Sequence, residues 1–222
     1  MKNLKMTVGS ALLVISTAAA HATANTIVLD QNAYSFHVGG EFNANTTQNF
    51  LQNYSPSAIV GTGFETFCIE TTVDFYPGST YTYDLSTVDS RGVGLSLGTA
   101  YLYDQFAKGT LGNYDYTDTA TRNADAGALQ AAIWWFQGEQ TYPGYPSPTD
   151  NVYYQEALTA LGGAANADSP SDGRYGVAVL QMWDGSTPAQ NQLIEVPDGS
   201  STTSLFAMGL GGLAILRRRF TA

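Results

Sequence analysis

Little in this 222-residue chain can form a cross-link, bind a metal through imidazole or attract an anion. It has one cysteine, Cys68, so an internal disulfide is excluded. It has two histidines, His21 and His37, too few for a histidine-rich metal centre. A Ser-His-Asp triad would have to use His37, which lies in a strand-like stretch with no nucleophile motif beside it. Asp and Asn occur in loops, but without EF-hand spacing. No metal or cofactor is expected. Bases are also scarce, with nine Lys and Arg against 19 Asp and Glu. A surface of that sign repels phosphate backbones and excludes nucleic acid as a partner.

The ends hold more than half of those bases. Lys2 and Lys5 precede an apolar run from Val8 to Ala20, and small residues follow as Ala20-His21-Ala22 and Ala22-Thr23-Ala24. This is the three-part layout of a secretory signal, with cleavage expected after Ala22 or Ala24. At the other end, Val196-Pro197-Asp198-Gly199-Ser200 leads into a small and apolar run, closed by Arg217-Arg218-Arg219. Ser200 to Leu216 is 17 residues, several of them Ser or Thr. A bilayer span needs about 20 predominantly apolar residues. The segment therefore suits transient insertion during processing better than a lasting transmembrane helix, with the arginines held on the cytoplasmic side.

Those C-terminal residues resemble the VPDSG variant of the PEP-CTERM sorting tail, with Gly-Ser where the variant has Ser-Gly. The resemblance implies a Gram-negative host and an exosortase-type processing enzyme that cleaves near the motif. It also implies delivery to the cell surface or extracellular matrix. The expected organisation is a signal peptide over 1–24, one domain over 25–195 and a sorting signal over 196–222.

Only Arg91, Lys108, Arg122 and Arg174 remain basic between the two ends. The coarse reading gives strands over 26–38, 64–75 and 79–87, with a turn at Tyr76-Pro77-Gly78-Ser79 between the last two. Helices are expected over 95–106, 121–136 and 152–161, with loops at 113–120, 141–149 and 162–173. Strands follow over 175–183 and 192–196. Strands, then helices, then strands indicate an α+β domain: a β-sandwich or barrel-like framework with a helical insert.

Two short motifs carry chemistry. In the run Phe64 to Phe75, strand alternation puts Phe67, Ile69, Val73 and Phe75 on the core face. Cys68 falls on the other face with Thr66, Glu70 and Thr72. In the long helix, Gln130 sits about 100° around from Leu129, at the flank of the apolar stripe, with Trp134 one turn on. Taken alone, Gln130 reads as an interfacial residue that hydrogen-bonds a loop, and Cys68 as a thiol that a helix could cover. Glu65 and Glu70, a conceivable glycosidase pair, point to opposite faces of a strand.

Together, Phe67-Cys68-Ile69 and Gln130-Ala131-Ala132-Ile133-Trp134 resemble the two motifs of the bacterial thioester, or TQxA, domain, with Leu129 where the family has Thr. The resemblance implies an internal bond between Cys68 and Gln130, with Phe67, Ile69, Ala132, Ile133 and Trp134 as motif neighbours. It further implies covalent capture of an amine on a surface or matrix protein, a single-turnover event and not a turnover enzyme. The alternative is a non-covalent structural matrix or biofilm protein with a free Cys68.

Overall fold

A computed structural model describes residues 25–46, 63–117, 119–140 and 143–196. The expected signal peptide over 1–24 and the tail from Pro197 through Arg219 lie outside the described residues.

Six strands form one antiparallel sheet: β1 (Thr26–Phe36), β2 (Gly39–Thr46), β3 (Phe64–Thr66), β4 (Thr80–Ser86), β5 (Val177–Asp184) and β6 (Thr187–Glu195). Their order is β3-β2-β1-β4-β5-β6. The chain leaving β3 then pairs with β6 at the far edge. Leu193 N donates to Phe67 O (3.1 Å), and Ile69 N donates to Asn191 O (3.2 Å). The two edges of the sheet thus meet, which satisfies backbone groups that an open edge would leave exposed.

Period-two patterning explains the enclosed face. Ile27 and Leu29 of β1, Ala44 of β2, Phe64 of β3, Tyr81 and Tyr83 of β4, Leu180 and Met182 of β5 and Ile194 of β6 form one buried cluster. Every strand contributes to it, so a one-residue slip anywhere would expose apolar side chains.

Helices α1 (Leu97–Ala107), α2 (Thr119–Phe136), α3 (Val152–Leu161) and α4 (Ala164–Ala167) lie in sequence between β4 and β5, which pair with each other. The starts of α1 and α3 are set by capping. Ser96 accepts from Thr99 N, and Asn151 accepts from Tyr153 N and Tyr154 N. Gly162, at φ 79°, ends α3 in the left-handed conformation that favours glycine. Leu102, Phe106, Leu129, Ile133 and Tyr153 from the helices pack on Phe67, Ile69, Val179 and Leu193 as a second core.

The α+β expectation stands, while several local readings need correction. The run 64–75 is not one long strand, because extended pairing stops at Thr66 and only Cys68 makes a further bridge, to Gln192. Nor do 64–75 and 79–87 pair; β3 joins β2, and β4 lies between β1 and β5. The first strand ends at Phe36, where His37 turns the chain at φ 52°. The returning strand β2 was hidden by its polar Asn-rich sequence. The loop 162–173 contains α4, and β6 starts at Thr187, five residues before the expected strand.

Candidate functional site

Helix α2 is held against the sheet by a buried charge cluster. Arg122 donates from Nε to Glu41 Oε1 (2.9 Å) and from Nη2 to Glu41 Oε2 (2.8 Å). Its Nη2 also lies 2.8 Å from Glu65 Oε1. Tyr114 OH donates to the same Glu41, and the guanidinium sits 4.2 Å from the Tyr34 ring centroid. Glu41 belongs to β2 and Glu65 to β3, so one arginine fixes the helix to both strands. Gln130 is eight residues further on, about 12 Å along the axis and about 80° around it.

Gln130 is fully buried, as is Cys68. The flank of the apolar stripe on which Gln130 lies is covered by the sheet. The two side chains meet directly. Cys68 Sγ lies 3.2 Å from Gln130 Oε1 and donates to it. The same oxygen accepts from Cys68 N (3.3 Å), while Gln130 Nε2 donates to Cys68 O (2.7 Å). The carboxamide is thus read by both backbone polar groups of Cys68, which fixes which end faces the sulfur. Phe42 and Trp134 complete the apolar wall, with Phe75 and Tyr145 packed against it. Phe67, Ile69, Ala132 and Ile133 are buried in the helix-side core and do not line the wall around the sulfur. Leu129 is buried there too, so an apolar residue fills the position where the resembled family has Thr.

The segment around Cys68 is tied down on both sides. Thr66 Oγ1 donates to Leu193 O (2.7 Å). Glu70 accepts from Asn191 N (2.8 Å) and Nδ2 (2.6 Å), and from Ser90 Oγ (3.1 Å). Thr71 Oγ1 donates to Glu139 Oε2 (2.6 Å), and Arg91 reaches that carboxylate as well. Glu65 and Glu70 therefore have separate structural partners, Arg122 and Asn191.

Burial pushes the Cys68 thiol strongly up, and the charges of Glu70 and Asp74 add to the rise; its backbone hydrogen bond and the neighbouring Trp134 oppose it. Glu70 is raised chiefly by desolvation, partly offset by hydrogen bonds from Asn191 and Ser90. A Gln130→Ala protein, which has no carboxamide to react, is expected to keep its thiol silent to a disulfide reagent at pH 8. It should give one equivalent at once in denaturant. Rapid native labelling would show that the thiol is accessible.

Gly39, at the start of β2, makes the close approach possible. A Cβ there would lie 2.7 Å from Gln130 Cγ, 2.9 Å from Trp134 Cη2 and 3.1 Å from Tyr145 OH. Gly39→Ala is expected to displace Gln130 and destabilise the domain by about 1–3 kcal/mol, as overpacking does. Thermal melting with an unchanged midpoint would contradict it. Sequence reasoning missed Gly39, Glu41 and Arg122 as site-building residues. The available signal was Arg122, one of few bases in an acidic chain and placed near the start of the helix that carries Gln130.

Among the described residues, no group of three or more His, Cys, Asp or Glu could hold a metal ion, and no helix is long and apolar enough to cross a membrane. Residues 195–220 match the family described as the VPDSG-CTERM motif. The match supports an exosortase-type sorting tail and, with it, an exported protein destined for the envelope or surface. No curated protein and no solved structure matches the chain. The matched segment begins on Glu195, the last residue of β6, and Val196 N still donates to Gly176 O (2.6 Å). The match therefore begins at the end of β6, and from Pro197 on it lies outside the described residues.

Proposed function

We propose that Cys68 and Gln130 form an internal thioester, and that the exported domain uses it to attach covalently to an amine-bearing surface or matrix partner. The observation that carries this reading is the direct Cys68–Gln130 contact, in which the carboxamide is oriented by both backbone groups of the cysteine. Formation joins Cys68 Sγ to the Gln130 side-chain carbonyl carbon and breaks the carbon–nitrogen bond. The thiol proton leaves with the nitrogen as ammonia, so no oxidant or cofactor is needed.

Each contact has a use in that step. Cys68 N–H can hold the oxygen as negative charge develops on it, the role of an oxyanion-hole donor. Because the thiol sits far above neutral pH, the thiolate fraction rises about tenfold per pH unit. Ammonia release after refolding is therefore expected to quicken by about that factor from pH 7 to pH 8, and a flat profile would rule out thiolate attack.

In the second step a partner amine attacks the thioester carbon, forms an amide and frees Cys68. The domain would act once, as a covalent binder and not as a turnover enzyme. The acidic chain suits this use, since Lys108 is held by Asp104 and lies 3.7 Å from Glu195. Methylamine added to native protein should yield one adduct on Gln130 together with a free thiol.

The second reading is a non-covalent structural protein, favoured by the buried, strongly raised Cys68 thiol. In that case the Gln130 carboxamide acts as a tie between α2 and the chain after β3. A full-length mass and no methylamine adduct would select it.

A further inference from the structure

We infer that the cavity bordered by His37, Phe42, Asp74, Phe75, Tyr76 and Gln190 is the entry port for the partner's amine, admitting a lysine-like ammonium that Asp74 holds at the mouth. The inference rests on the thioester reading and adds to it the route and the charge of the substrate.

Four observations converge on this cavity. Its volume is about 280 Å³. That is just below the usual range for drug-sized ligands, and suits a single extended side chain. Two of its walls are shared with the site: Phe42 packs on Cys68 and Trp134, and Phe75 packs against that cluster. Their rings meet edge to face at 4.9 Å, with Phe42 buried and Phe75 half-buried.

The mouth has the chemistry to recognise a cation. Asp74 is exposed, and its carboxylate makes no hydrogen bond or ion pair with a described residue, although its backbone oxygen accepts from Gln190 N (3.2 Å). Its charge is felt at Cys68. The described bases are all committed elsewhere: Arg91 to Asp89 and Glu139, Lys108 to Asp104, Arg122 to Glu41 and Glu65, and Arg174 to Asp172. Among the described residues no base is therefore left for Asp74. Aromatic faces beside the carboxylate, including the exposed Tyr76, add cation–π attraction and an apolar lining for a methylene stem.

The chemistry balances. The ammonium loses one proton to water at the mouth, and the neutral amine passes the Phe42–Phe75 pair. Its nitrogen bonds to the Gln130 carbonyl carbon, and the carbon–sulfur bond breaks. The amine's second proton then returns the thiolate to a thiol.

The test compares two probes on the native protein, cadaverine as the cation and hydroxylamine as a neutral nucleophile, with adduct rates read by intact mass. Asp74→Asn is expected to slow cadaverine about fivefold at low salt and to leave hydroxylamine unchanged, with the difference vanishing in molar salt. Phe75→Ala should speed both probes and hydrolysis alike. Asp168→Asn, beside a separate cavity lined by Trp135 and Tyr154, should behave as wild type. An unchanged cadaverine-to-hydroxylamine ratio in Asp74→Asn, or an equal fall in Asp168→Asn, would overturn the port. If wild type lacks the ammonia deficit, the thioester reading itself fails, which is a different result.

Discussion

Freshly purified native protein is expected to weigh one ammonia less than its processed sequence, and Cys68→Ala is expected to restore the missing mass. The effect is all or none, because the bond either exists in a molecule or does not. Free in water, a thiol does not displace ammonia from a carboxamide at a useful rate. Here the sulfur is 3.2 Å from the amide oxygen, and both partners are fixed on packed elements. Well-oriented intramolecular reactions reach effective molarities of about 10⁵–10⁸ M. The Thr66, Glu70 and Thr71 anchors and the Arg122 clamp supply that orientation before any reaction begins. The apolar wall of Phe42 and Trp134 then protects the product, since hydrolysis needs water at the same carbon. Gln130→Ala should likewise show no ammonia loss, leaving full mass for its own sequence. Full mass in wild type, with a thiol that titrates after denaturation without alkaline treatment, would defeat the thioester reading.

Arg122→Met is expected to cost about 3–5 kcal/mol of stability, because it strands Glu41 and Glu65 as buried charges. In a domain of this size that lowers the melting temperature by about 6–20 °C. The loss is attributed to stranded carboxylates and not to missing packing, and the two causes can be separated. Glu41→Gln and Glu65→Gln introduced together with Arg122→Met should recover a large part of the loss, since neutral groups carry a smaller desolvation penalty. Recovery of none of it would assign the effect to packing around Tyr34 and Tyr114. The clamp also sets where Gln130 lies, so any folded Arg122→Met protein should form the thioester more slowly. Calorimetry reads the first effect, and the time course of ammonia loss reads the second.

Much of the helical region is legible from sequence for simple reasons. The start of α3 is marked by Asn151 and its end by Gly162, and the expected 152–161 coincides with the observed helix. The apolar stripe of Leu129, Ala132, Ile133 and Phe136 marks α2, which extends to Thr119. Strands were harder. β2 reads Gly-Gly-Glu-Phe-Asn-Ala-Asn-Thr and has almost no β-branched residues. It exists because β1 and β3 pair on its two sides, and because its Glu41 meets Arg122 from the helix. The beginning of β6 was masked by Pro188 and a polar Gln-Asn-Gln run. That run is buried by the chain after β3 and by Glu70, far away in sequence.

The sequence by itself determined the C-terminal tail and the limits on chemistry: a sorting motif matched over 195–220, one thiol, an acidic chain and helices punctuated by their caps. Those properties are local or compositional, so no fold is needed to state them. The placement of Cys68 was decided only by the tertiary structure. Alternation put Cys68 on a different side from Phe67 and Ile69, which do pack in a separate cluster, but it grouped Phe75 with them although Phe75 packs beside Cys68, and it could not tell what covers that side. The answer is Phe42 from β2 and Trp134 from α2, brought there by sheet closure and by the Arg122 clamp. Periodicity along one helix put Gln130 at the flank of the apolar stripe, but it could not register the sheet packed beside it. Contact between Cys68 and Gln130 spans 62 positions of sequence, and it depends on pairings that no local pattern encodes.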